Sequence, residues 1–246
     1  MTRSGFWAAE RLSYGGTANT PEVLAVSCPT SSRLAKMIGG SAHLGDTMVN
    51  SREFIAATFI DSGLDEVESA ILDRLGSSPE RTLNVEPVEV SPATIHRQQY
   101  NPAAMATLLW APLTRPTGTV FFANLEDGWH TLVYNLGVVC GVSCLSIRAS
   151  GNADEWPIRE MLVYCDGAER RLVRVMKDDP KWEFFEQGEP LSLEDVDGYS
   201  ARLLRNRLPL DRLYDYCEHL GWSVRDDRTW TSARPGRLIT WSMRGA

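Results

Sequence analysis

The clearest periodicity in the chain sets Leu64, Val67, Ile71 and Leu75 on one side and Asp65, Glu66, Glu68 and Asp73 on the other. That spacing predicts an amphipathic helix capped by Asp61 or Ser62. Asp65 lies three residues beyond Ser62, as in a capping box, and Gly76 closes the run. The apolar stretch Glu53–Phe59 before it reads as a buried strand, and Glu22–Ser27 as a shorter one. After the turn Ser77-Ser78-Pro79, Thr82–Val90 reads as a strand that Pro87 confines to an edge or a break. Pro102–Trp110 reads as a short helix, and Pro112, Pro116 and Gly118 mark the best linker in the chain.

Beyond that linker the composition changes. Thr119–Ala123, Trp129–Leu136, Val142–Arg148, Glu160–Cys165 and Arg171–Met176 read as successive strands, with turns at Asp127-Gly128 and Asp166-Gly167. Leu193, Val196, Leu203 and Leu204, preceded by Ser192, suggest one closing helix, which Gly198 weakens. Leu210, Leu213, Tyr214, Cys217 and Leu220 predict a second, from Pro209 to Gly221. Trp222–Val224 and Leu238–Met243 suggest a terminal hairpin. The expectation is an α+β fold, mainly antiparallel sheet flanked by helices, in two lobes: a loose arm over 1–20, an N-terminal lobe over 21–111 and a C-terminal lobe over 119–246.

Apolar residues at 43% and charged residues at 23% are ordinary globular usage, which excludes collagen-like, coiled-coil and wholly disordered chains. The formal charge of −7 argues against a partner bound through phosphates, whether nucleic acid or anionic membrane. Met1–Thr20 has no apolar core of signal-peptide length, and Thr131–Ile147 is too short and too often interrupted to span a bilayer. Five cysteines without such a signal read as reduced thiols, so the expected compartment is the cytoplasm.

Known chemical motifs are missing. Cys140 and Cys144 have no second pair at zinc-binding spacing, there is no nucleophile elbow, and neither Gly39-Gly40-Ser41 nor Gly15-Gly16-Thr17 fits a phosphate loop. Asp195-x-Asp197-Gly198 is only a fragment of a calcium loop. No metal or cofactor is therefore expected. Residues 201–246 carry nine arginines against five acids, with Trp222, Trp230 and Trp241 among them, a mixture that can hold single-stranded nucleic acid. Pairing with the acidic block just upstream is the simpler use.

That block is the one uneven feature. Residues 151–200 hold thirteen acids and six bases, so the whole formal excess of charge resides there. At its centre Glu183, Glu186, Glu189, Glu194, Asp195 and Asp197 surround Trp182, Phe184 and Phe185. Crowded carboxylates repel one another unless solvent or a cation offsets them, and aromatic groups beside them desolvate well on contact. Trp182, Glu183, Phe184, Glu186, Glu189, Glu194, Asp195 and Asp197 are accordingly the candidate partner-binding residues, for a basic protein.

From Glu126 to Trp222 three motifs follow in order: E-D-G-W-H-T-L-V-Y-N-L, then W-x-F-F-x-x-G-E-P-L, then Y-x-x-R-x-L-R-N-R-L-x-x-x-x-L-x-x-Y-C-x-x-L-G-W. This C-terminal half resembles small bacterial cytoplasmic proteins, some of them similar to immunity partners of antibacterial toxins. The resemblance implies an architecture and an inhibitory role and supplies no catalytic residue. Three readings follow. One is a non-catalytic immunity-type protein that occludes a basic site on a toxin or effector. The second is an enzyme whose site forms only in the fold, for example from Cys140 or Cys165 with His130. The third is a regulatory module that holds a small ligand near 112–118.

Overall fold

In the computed structural model, nine strands form a single antiparallel sheet in the order β2-β9-β3-β4-β1-β5-β6-β7-β8. The strands are β1 (Phe54–Ile60), β2 (Arg81–Val88), β3 (Ala106–Trp110), β4 (Thr119–Ala123), β5 (Cys144–Ser150), β6 (Ile158–Cys165), β7 (Ala168–Asp178), β8 (Lys181–Gln187) and β9 (Gly236–Met243). Among the described residues four α-helices accompany them: α1 (Leu64–Gly76), α2 (Pro92–Gln99), α3 (His130–Tyr134) and α4 (Leu210–His219). The fold is α+β. The structure describes residues 54–76, 81–99, 105–125, 127–151, 154–178 and 180–243. The arm expected over 1–20 and the strand expected at Glu22–Ser27 lie outside them.

Alternation along the strands gives the sheet two apolar faces. The first carries Ile55, Ala57 and Phe59 of β1, Leu145 and Ile147 of β5, Met161 and Val163 of β6, and Val173 and Val175 of β7. Leu213, Tyr214, Tyr216 and Cys217 of α4 cover it, together with Trp222, Val224 and Trp230 from the chain that follows. The second face carries Ile60, Leu109, Phe121, Leu162 and Tyr164. The predicted stripe of α1 and the residues Leu132, Val133 and Leu136 cover that side. With both faces occupied, every residue of β3, β4 and β6 is buried, Arg159 and Glu160 of β6 included.

Four elements differ from the sequence reading. Asp127 accepts a hydrogen bond from the Trp129 N–H at 2.9 Å, and Gly128 and Trp129 both adopt left-handed φ values of 64° and 58°. The chain then enters α3 and a π-helical turn at Asn135–Val139 instead of a strand. The burial of Leu132, Val133 and Leu136 follows a helical face, and the Trp129 ring stacks on Trp241 at 4.4 Å. The helix expected at Pro102–Trp110 lies earlier: Ser91 accepts from the Thr94 N–H at 3.3 Å and Pro92 takes the first helical position of α2, while 106–110 is a central strand.

Between Leu193 and Leu204 there is no α-helix, only 3₁₀ turns at Asp197–Ser200 and Leu204–Asn206. The Glu194 carboxylate accepts from the Leu191 N–H at 2.8 Å and Asp195 from the Gly198 N–H at 3.1 Å, local bonds that compete with a helical ladder. The C-terminal strand does not fold back on Trp222–Val224. It inserts between β2 and β3.

That insertion changes the domain organisation. Strands from both sides of 112–118 are hydrogen-bonded neighbours, and the described residues form one compact unit. The expected linker is the turn joining β3 to β4. Arg115 pairs with Asp61 at 2.6 Å and lies over the Trp222 ring at 4.4 Å. A side chain at Gly118 would meet that ring at 2.5 Å, so the glycine is there for close packing. Gly118→Ala should cost about 1–3 kcal/mol through overpacking, seen in urea unfolding as a lower midpoint with an unchanged slope.

Candidate binding surface

The β7–β8 hairpin sorts the acidic block by alternation. Pairing of Val173 with Glu186, Val175 with Phe184 and Lys177 with Trp182 turns those three β8 residues to the first face. Glu183, Phe185 and Gln187 turn to the second. Trp182 and Phe184 are half-buried against the first core. Arg159 lies over the Trp182 ring at 5.7 Å, and Arg207 over the Phe184 ring at 5.1 Å, with Tyr199 beside it at 5.4 Å. These two expected anchors are therefore engaged within the chain. The aromatic side chain that faces solvent is Phe185, 43% exposed, with Arg174 at 5.6 Å.

Half of the expected carboxylates are also engaged. Arg171, on β7, has a side chain only 1% exposed, and its Nη2 reaches Glu186 at 2.6 Å and Glu194 at 2.8 Å. Its Nε donates to both Glu194 oxygens, and its Nη1 donates to the Gly188 carbonyl at 2.8 Å. The Glu194 side chain is wholly buried and also accepts from the Tyr199 hydroxyl at 2.8 Å. Burial works against the charge on Arg171, but its bonds to Glu194 and Glu186 prevail and hold the guanidinium protonated above its ordinary range. Burial, then the bonds to Tyr216 and Glu194, push the Tyr199 hydroxyl up as well. Asp195 pairs with Arg212 at 2.8 Å.

Glu183, Glu189 and Asp197 are the exposed remainder, with no ion pair among the described residues. Gly188, at φ 83°, lets the chain leave β8 under the Arg170 carbonyl, where a β-carbon would collide. The arrangement can attract and hold a cationic surface. It contains no paired acid and base poised over a cleft. Sequence reasoning missed Arg171, Tyr199, Tyr216 and Phe185. Only the register of the hairpin and the return of 188–200 over the sheet bring the first three together.

Comparison with protein-family models, with curated proteins and with solved structures finds no match. No helix among the described residues is long and apolar enough to cross a membrane. Nor do any three His, Cys, Asp or Glu side chains among them converge as a metal-holding group.

The geometry lends nothing to the cysteine–histidine reading. Cys140 is exposed, but α3 and the π-helical turn put about 15 Å of helix between it and His130. Burial pushes the Cys144 thiol up to about 12 and raises Cys165 and Cys217, which disfavours the nucleophilic thiolate. Beside 112–118, where a small ligand was one expectation, Arg115 lies over Trp222, whose ring centroid is 5.2 Å from that of Phe59, and Trp230 is 6.0 Å from Phe59.

Two outcomes follow. Arg171→Ala should cost about 3–5 kcal/mol in urea unfolding because it leaves the buried Glu194 without a cation, whereas Arg171→Met with Glu194→Leu should lie closer to wild type. Iodoacetamide at pH 8 should modify Cys140 at a free-thiol rate and leave Cys144, Cys165 and Cys217 unmodified until denaturant is added, as read by peptide mass spectrometry. Rapid labelling of Cys165 in the folded protein would revive the enzymatic reading.

Proposed function

We propose that the protein acts by binding rather than by catalysis, as a cytoplasmic immunity-type inhibitor. The acidic outer side of β8 and the 188–200 segment occlude a basic site on a toxin or effector protein. The observation that carries this reading is the split of the acidic block. Glu186, Glu194 and Asp195 are tied to the chain's own arginines, while Glu183, Glu189, Asp197 and the Phe185 ring stay exposed. Carboxylates left in water raise the local concentration of a cationic partner, and the exposed ring two residues from Glu183 supplies an apolar contact that slows release. The quoted C-terminal motifs support the same class of function.

Immobilised full-length protein and the variant Glu183→Lys/Glu189→Lys/Asp197→Lys should be compared for capture from the source cells. The three sites are solvent-facing, so the variant keeps its fold. Wild type should retain a basic protein at about 50 mM salt and release it near 500 mM, and the variant should associate at least about tenfold more slowly. Capture indifferent to both salt and charge reversal would rule the proposal out.

A further inference from the structure

Both edges of the sheet are open to comparison. β2, at one end, contains Pro87, which has no N–H to offer a neighbour. β8, at the other, has seven residues and no proline, and among the described residues it pairs only with β7. Every second residue of an edge strand points its N–H and C=O away from the sheet, where another strand can take them up. The 3₁₀ turn at Leu204–Asn206 packs against β8. Arg159 of β6 donates to the Arg205 carbonyl at 3.0 Å and Arg207 covers Phe184, which places the turn across the first face of β6–β8.

From this edge we propose that a basic, extended segment of a partner protein adds to β8 as a tenth strand. The inference rests on the acidic-surface reading above and deepens it by naming the form of the partner. The two faces of β8 set the pattern of the incoming strand. On the first face its side chains meet Tyr199, Arg207 and the 3₁₀ turn, which leaves room for small residues. On the second face β8 presents Lys181, Glu183, Phe185 and Gln187, so a lysine or arginine suits the position beside Glu183 and an apolar side chain the one beside Phe185.

The test uses the full chain and two synthetic peptides. The probe is acetyl-Lys-Ser-Val-Ser-Lys-Ser-Val-Ser-Lys-amide, with cations and valines on one face and serines on the other. Its control replaces each serine with proline, keeping the charge and removing alternate backbone donors. At saturating concentration the probe should slow hydrogen exchange of alternate β8 amides at least about tenfold, and the proline peptide should leave them unchanged. Binding of both peptides to the same extent, binding without protection of β8, or no binding of the probe would each overturn strand addition. The first two results would leave the charge reading standing. Protection that persists in Glu183→Lys/Glu189→Lys/Asp197→Lys would overturn the basic character of the occupant and, with it, the charge reading.

Discussion

A guanidinium group removed from water has five donors to satisfy, and Arg171 satisfies them with Glu194, Glu186 and the backbone carbonyls around Gly188. Those partners come from β8 and from the chain that follows it, so one buried cation fixes β7, the end of β8 and the 188–200 segment together. The constraint is severe because an uncompensated charge at this depth costs several kcal/mol. Tyr199 and Tyr216 extend the network, with the Tyr216 hydroxyl accepting from the Asp195 N–H at 2.8 Å.

Electrostatics elsewhere in the chain follows the same division between fixed and free charge. The arginine-rich C-terminal region is largely paired within the fold: Arg225 with Asp215, Arg228 with Asp226, Arg234 with Asp65 and Arg237 with Glu68. Pairs this exposed each contribute only about 0–1 kcal/mol, so their main effect is to neutralise the surface around α1 and α4.

How much of this was legible depended on how local the deciding interaction was. The α1 stripe, β4, β5, β6 and β7 and α4 were readable because their periodicity and punctuation reflect the burial of each segment against a wide apolar surface. Residues 129–136 were misread as a strand because Trp129, Thr131 and Val133 alternate as well as they wind. The left-handed turn at Gly128 and Trp129 and the Trp241 stack settle the matter only in three dimensions. The helix expected over 193–204 failed for the reason its acids are interesting: Glu194 and Asp195 bond to nearby backbone and to distant arginines rather than to solvent. The candidate surface was legible as a region but not as a set of side chains, since alternation on β8 exchanges the roles of Phe184 and Phe185.

By itself the sequence determined the class of fold, the elements with strong local periodicity and the stretch in which the negative charge is concentrated. These depend on neighbours a few residues apart and on a count of charges. Tertiary structure alone decided that the chain from 54 to 243 builds one sheet, because β9 pairs with strands more than a hundred residues earlier and no local pattern encodes that choice. It also decided which carboxylates are free. Whether a glutamate faces water or an arginine is set by register and by the path of a returning segment, and both are settled only when distant parts of the chain are brought to within 3 Å.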